Sequence, residues 1–220
     1  MSTKHLYVIN PNSSKTVTAG IDAAVAALRR PDGPHITCVT LDEGPPAIRT
    51  QLDVDNAALS VSRFAQAHLD TAAGFITACF SDPGLHLLRE FEGVPAFGIS
   101  ESAALAAMTL GQRFGVVAMS EAVIGRHWRV WGAMGITQRV AGEEAIDRSM
   151  AELSDENATL EAMVAAGDRL RRNRGADVLV MACAGMAPFR EKLSRAVGLP
   201  VVEPTQAAVS MALGRIALGW

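Results

Sequence analysis

The 220-residue sequence predicts an α/β protein of two pseudo-symmetric lobes, each with a mainly parallel sheet flanked by helices. Two observations predict this fold. Short apolar, β-branched runs alternate with segments of helical spacing, and one half of the chain resembles the other. Ligands of open α/β sheets bind at the carboxyl ends of the strands, so we expect the active site in the cleft between the lobes.

The first lobe is expected to cover residues 1–100 and to be completed by the C-terminal helix at 205–220. Apolar runs ending in turn residues predict its strands, and the segments between them have the spacing of helices. The predicted strands are 6–9, 36–41 and 74–79, and the predicted helices are 16–28, 54–69 and 83–91.

The second lobe is expected to cover residues 101–204. The same patterns predict strands at 114–119 and 178–183, and helices at 121–134 and 154–172. The charged and poorly periodic segment 143–152 is interpreted as a loop.

The duplication places two cysteines at equivalent positions. The segment 74–79 reads GFITAC and parallels VLVMAC at 178–183, and a Gly-x-Pro follows each at 93–95 and 198–200. Both predicted strands therefore end in a cysteine, Cys79 in one lobe and Cys183 in the other. If the lobes face each other, the two sulfurs approach one ligand from opposite sides.

Two like groups on opposite sides suit the inversion of a stereocentre, because one removes a proton and the other returns one. A thiol has an ordinary pKa of about 8.5, and amides at the start of a helix lower it. Residues 81–84 and 184–186 have the composition of helix starts, and their amides could also bind an enolate oxygen. A single cysteine ending an apolar run is more often part of the core, and we interpret Cys38 in that way.

Composition excludes several function classes. Lys and Arg number 20 against 23 Asp and Glu, and aromatic residues make up 5%, so nucleic acid is not an expected partner. The sequence contains no run of 18 apolar residues, so we expect no membrane-spanning helix. Three widely spaced cysteines without an export signal indicate reduced thiols in the cytoplasm. We therefore expect a small-molecule substrate.

Neither a metal nor an organic cofactor is expected. The five histidines form no His-x-x-x-His pattern, and the cysteines form no Cys-x-x-Cys pattern. A pyridoxal phosphate enzyme needs a Schiff-base lysine, whereas the lysines are Lys4, Lys15 and Lys192, in surroundings that suit the surface.

Three motifs together carry a resemblance to a known family. They are VINPNSS at 8–14, ACFSDPGL at 78–85, and CAGM at 183–186 followed by GLPVV at 198–202. The chain resembles the Asp/Glu/hydantoin racemase superfamily over nearly its whole length, most closely the hydantoin and allantoin racemases. This resemblance implies a cofactor-independent homo-oligomer with Cys79 and Cys183 as acid and base. The substrate-binding residues that it implies are Asn10, Pro11, Asn12, Phe80, Ser81, Ser120, Ala184 and Gly185.

The chain departs from the family pattern at one place. Hydantoin racemases usually carry threonines where residues 117–120 read VAMS, and Ser120 is the candidate for the missing hydroxyl. The preferred substrate therefore stays open between 5-substituted hydantoins and allantoin. The alternatives are an Asp/Glu racemase, a maleate isomerase or decarboxylase-like enzyme of the superfamily, and a non-catalytic small-molecule sensor. Maleate isomerases use a tyrosine in mid-chain, whereas the only tyrosine here is Tyr7.

Overall fold

A computed structural model describes residues 4–149 and 152–219 of the chain. It divides into two compact units, one formed by Met1–Ser102 with Thr205–Trp220 and the other by Ala103–Pro204. Each unit contains a four-stranded sheet in which every paired strand is parallel, with helices between the strands. The α/β class and the parallel sheets predicted from the sequence are confirmed.

The sheet of the first unit has the strand order β2-β1-β3-β4. Its strands are β1 (His5–Asn10), β2 (His35–Thr40), β3 (Ala72–Thr77) and β4 (Ala96–Gly98). The helices between them are α1 (Lys15–Ala24), α2 (Gln51–Ala67) and α3 (Leu85–Leu88), with short 3₁₀ turns at Ala26–Leu28 and Leu69–Thr71. Helix α4 (Ile99–Leu110) begins directly after β4, and α8 (Pro204–Leu218) belongs to this unit almost entirely.

The second unit repeats that topology, with the strand order β6-β5-β7-β8. Its strands are β5 (Phe114–Ala118), β6 (Val140–Ala145), β7 (Val178–Met181) and β8 (Val201–Val202). Its helices are α5 (Glu121–Ala133), α6 (Glu156–Arg174) and α7 (Arg190–Val197), with 3₁₀ helices at Thr137–Arg139, Glu152–Ser154 and Ala184–Phe189.

Each sheet is held by its own apolar core. In the first unit Ile9, Val61, Phe75 and Leu88 are fully buried in one cluster, and in the second unit the equivalent cluster contains Met163, Leu170, Leu179 and Leu193. Burying such a side chain contributes about 1.5–3 kcal/mol relative to leaving it exposed. The two cores fix the carboxyl edges of the sheets, where the candidate site residues lie.

The segment predicted as a loop at 143–152 begins instead as the end of β6. The charged residues led to the wrong prediction, because the Glu143 side chain is fully buried and bonds to Nδ1 of the buried His127 on α5. Glu144 pairs with Arg169 at 2.8 Å. Because these charged side chains are paired, the segment can form a strand without the alternation of apolar and polar residues by which a strand is recognised in a sequence.

The helix predicted at 83–91 is wrong in its extent, because α3 covers only Leu85–Leu88. Asp82 and Gly84 both have positive φ angles, of 43° and 77°, which a helix cannot include. Gly93 lies beyond the end of α3, whereas Gly198 ends α7 in the left-handed conformation.

Candidate active site

Cys79 lies two residues beyond β3, in a loop that hydrogen bonds to backbone carbonyl groups hold in place. The amide of Ala78 donates to the carbonyl of Ile9 in β1 at 2.8 Å, which extends the β1–β3 pairing to the residue before the cysteine. The buried hydroxyl of Thr77 donates to the carbonyl of Pro83 at 3.0 Å. Phe80 is buried and Ser81 is partly exposed, so the loop has a defined path.

The loop after β1 is fastened by the side chain of Asn10, which is fully buried. Its Nδ2 donates to Oδ1 of Asn12, to the carbonyl of Ser14 and to Oγ1 of Thr18, at 3.0–3.1 Å. Pro11 is buried, and Asn12 is partly exposed. Ser14 is the N-cap of α1, and its side chain accepts a hydrogen bond from the amide of Val17. The amide of Asn10 therefore shapes this loop.

Cys183 occupies the matching place in the second unit, two residues beyond β7. The amide of Ala182 donates to the carbonyl of Val117 in β5 at 2.9 Å, which is the counterpart of the bond between Ala78 and Ile9. The residue before each cysteine is thus bonded to the central strand of its own sheet. This equivalence agrees with the duplication found in the sequence.

The electrostatic surroundings of Cys183 keep its thiol protonated. Burial raises the pKa of Cys183, the backbone amides of Gly185 and Met186 lower it, and the carboxylate of Glu203 raises it. Glu203 is buried and directly follows β8, which pairs with β7. Ala184 is buried and Gly185 is partly exposed.

Ser120 lies at the carboxyl end of β5, next to β7 in the sheet. It is the N-cap of α5, but its side chain makes no capping hydrogen bond. Because β5 and β7 are neighbours, Ser120 and Cys183 lie at the same edge of the sheet. The hydroxyl of Ser120 is therefore available for another partner.

Within each unit the structure brings the predicted residues together. The Asn10–Asn12 loop and the Cys79 loop follow neighbouring strands of one sheet, and Ser120 and the Cys183 loop follow neighbouring strands of the other. Sequence reasoning missed the part played by Asp82. Its carboxyl group accepts from the amides that begin α4, although the sequence suggested that it starts its own helix.

The third cysteine has a different environment. Burial and the nearby carboxylate of Asp22 raise the pKa of Cys38 to about 12, and Arg29 opposes this rise. The Cys38 thiol is therefore protonated at neutral pH. None of the three cysteines forms a disulfide.

Among residues 4–149 and 152–219, no three His, Cys, Asp or Glu side chains come together as a metal site needs. No helix of this part of the chain is long and apolar enough to cross a membrane.

Comparison with known proteins places the chain among racemases. Residues 6–212 match the family model described as Asp/Glu/Hydantoin racemase. A hydantoin racemase from Paenarthrobacter aurescens is 30% identical over 98% of this chain and 92% of its own length. A hydantoin racemase from a Pseudomonas species is 29% identical over 97% of this chain and 86% of its own length.

Solved structures show the same relationship. An allantoin racemase from Klebsiella pneumoniae has a TM-score of 0.89 and 30% identity, with 99% of this chain and 89% of that chain covered. An allantoin racemase from Pseudomonas fluorescens has a TM-score of 0.91 and 28% identity, over 98% and 92% of the two chains. A glutamate racemase from Bacillus anthracis, with a TM-score of 0.74 and 13% identity over 99% and 82% of the two chains, shares the fold.

Proposed function

We propose that this chain, which belongs to the Asp/Glu/hydantoin racemase family and is a racemase, inverts C5 of a 5-substituted hydantoin or of allantoin by proton transfer between Cys79 and Cys183. The substrate class rests on relatives of both kinds, which match the chain over nearly its whole length at 28–30% identity. The equivalent placement of the two cysteines after β3 and β7 is the observation that carries the mechanism.

The chemistry of the substrate suits two thiols. The C5 hydrogen of a hydantoin lies next to a carbonyl group, so its removal produces an enolate whose charge is on oxygen. One cysteine thiolate removes this proton from one face, and the thiol opposite returns a proton to the other face. Because a racemase works in both directions, each cysteine acts as the base toward one enantiomer and as the acid toward the other.

The remaining site residues have supporting roles in this proposal. We assign the backbone amides that follow each cysteine to the carbonyl oxygens of the substrate, because such donors stabilise a developing oxyanion. These amides belong to Phe80, Ser81, Ala184 and Gly185. We assign the Ser120 hydroxyl and the loop of Asn10, Pro11 and Asn12 to the substituent and the ring nitrogens. As the family resemblance implies, we propose a homo-oligomer that needs no cofactor. The three widely spaced cysteines support a cytoplasmic location.

The test is racemisation of enantiomerically pure 5-substituted hydantoins and allantoin in heavy water, followed by optical rotation and NMR. Wild type is expected to lose optical rotation as deuterium enters C5. Cys79→Ser and Cys183→Ser should each abolish racemisation, while each retains deuterium exchange of one enantiomer. Cys38→Ser is the control and should keep full activity. Full racemisation by either of the first two variants would disprove the two-thiol mechanism.

The same panel should include aspartate, glutamate and an arylmalonate. Deuterium entering only the amino acids would identify an Asp/Glu racemase. Release of carbon dioxide from the malonate would identify a decarboxylase. Thermal stabilisation by a hydantoin without any exchange would identify a binding protein.

A further inference from the structure

The carboxyl group of Asp82 is not used in the proton transfer proposed above, yet it lies only three residues after Cys79. Its two oxygens accept hydrogen bonds from the backbone amides of Ser100 and Glu101, each at 2.9 Å. These amides belong to the first turn of α4, where they have no partner within the helix and the helix dipole favours a negative charge. Asp82 therefore ties the Cys79 loop to the start of α4.

The neighbouring residues Gly98 and Glu101 leave room for the Asp82 carboxyl group at the start of α4. Gly98, the last residue of β4, lies so close that a Cβ atom there would overlap the Asp82 carboxyl group. The Glu101 side chain is turned to Arg89, to which it is bonded at 2.6 Å and 3.0 Å. The two amides of α4 are thus left for the Asp82 oxygens.

The backbone of the loop is also constrained. Asp82 has a φ of 43°, which non-glycine residues rarely adopt, and its amide donates to the carbonyl of Cys79 at 2.9 Å. Gly84 has a φ of 77°, and a Cβ atom there would lie 2.9 Å from the carbonyl oxygen of Ala58. Backbone conformations of this kind persist where the surrounding structure over-determines them, and they often occur at functional sites.

We propose that Asp82 is a positioning residue, which holds the Cys79 thiol in line for proton transfer by clamping its loop to α4. The proposal rests on the function proposed above. Proton transfer is sensitive to geometry, and a displacement of about 1 Å can cost about 10²-fold in rate. With the clamp cut, Cys79 should remain present but misplaced, so kcat should fall while substrate binding persists.

The first test needs no substrate. Amide hydrogen exchange of the peptide 77–88, followed by mass spectrometry, should be about tenfold faster in Asp82→Asn, because the side-chain amide keeps only one of the two acceptor oxygens. Asp82→Ala, which removes both acceptors, should give a larger increase. Exchange at the wild-type rate in both variants would overturn the proposal.

A matched control exists in the second unit. Asp177 accepts hydrogen bonds from the amides of Gln112 and Arg113 at 2.9 Å and 3.0 Å, at the amino end of β7. Asp177→Asn cuts the same kind of clamp away from both cysteines. It should leave kcat and the exchange of the peptide 77–88 unchanged.

The second test separates positioning from a general loss of structure. In a Cys183→Ser background only Cys79 exchanges the C5 hydrogen of the substrate with solvent deuterium. Asp82→Asn should slow this exchange about 10–100-fold and change KM by less than about twofold. In a Cys79→Ser background the same substitution should slow exchange less, because Cys183 stays in place and only the amides of Phe80 and Ser81 are displaced. Equal slowing in both backgrounds would overturn the positioning role. If neither background exchanges any hydantoin, the proposed function fails, whereas the amide exchange still decides whether Asp82 holds the loop.

Discussion

The free energy of unfolding should depend on pH through Asp82. Burial raises the pKa of its carboxyl group from 3.8 to about 7, against the opposing effects of the amides of Glu101 and Ser100 and of Arg89. The Glu101 carboxylate adds to the rise. The folded state therefore holds this proton more tightly than the unfolded state does. The corresponding stability is fully present below the unfolded pKa and is lost as the pH rises through about 7.

The size of this effect follows from the two pKa values. Between about pH 5 and about pH 8 the loss amounts to about 2–3 kcal/mol, since one pKa unit is worth about 1.4 kcal/mol. Asp82→Asn binds no proton, so it lacks this contribution to the pH dependence. The difference in unfolding free energy between wild type and Asp82→Asn should therefore shrink by about 2–3 kcal/mol over that range.

Urea unfolding followed by circular dichroism at each pH measures this difference. Groups that titrate in both proteins cancel when the two are subtracted. Asp177→Asn reports the cost of losing a carboxylate-to-amide clamp elsewhere. A wild-type advantage over Asp82→Asn that stays constant within about 0.5 kcal/mol would refute the linkage.

Two further predictions concern neighbours of the cysteine loops. Gly98→Ala should destabilise the protein by about 1–3 kcal/mol in a thermal unfolding assay, because the added methyl group displaces the Asp82 carboxyl. Gly125→Ala, at an exposed position of α5, should be neutral or stabilising in the same assay. Glu203→Gln should lower the pKa of Cys183, because it removes a negative charge that raises this pKa. Alkylation of Cys183 by iodoacetamide, measured by mass spectrometry of the Cys183 peptide, should therefore begin at lower pH. An unshifted pH profile would contradict this.

Much of the fold could be predicted because local pattern and burial agree. The runs that became β1, β3, β5 and β7 are apolar on both faces, as strands of a parallel sheet covered by helices must be. β6 escaped prediction because the burial of Glu143 depends on His127, sixteen residues earlier on another element. No pattern within the strand itself reveals such a partner.

The candidate site was predictable where it depends on local sequence. Cys79 and Cys183 follow the same short strand motif, so their equivalence could be read from the repeat. The hydrogen bonds of Asp82 to α4 could not be predicted in this way. The amide of Ser100 is 18 residues away in the sequence and is brought near only by the pairing of β4 with β3. The effect of Glu203 on Cys183 likewise needs the pairing of β8 with β7.

The first unit is assembled from both ends of the chain, which matters during synthesis. Helix α8 covers part of this unit, with Gln206 Nε2 donating to the carbonyl of Ala24 at 2.8 Å and Ile216 next to Gly74. The ribosome makes Ala103–Pro204 before it makes α8, which takes about 5–20 s at about 5–20 residues per second. During that interval the nascent first unit exposes the apolar surface that α8 later covers, whereas the second unit is already complete in sequence.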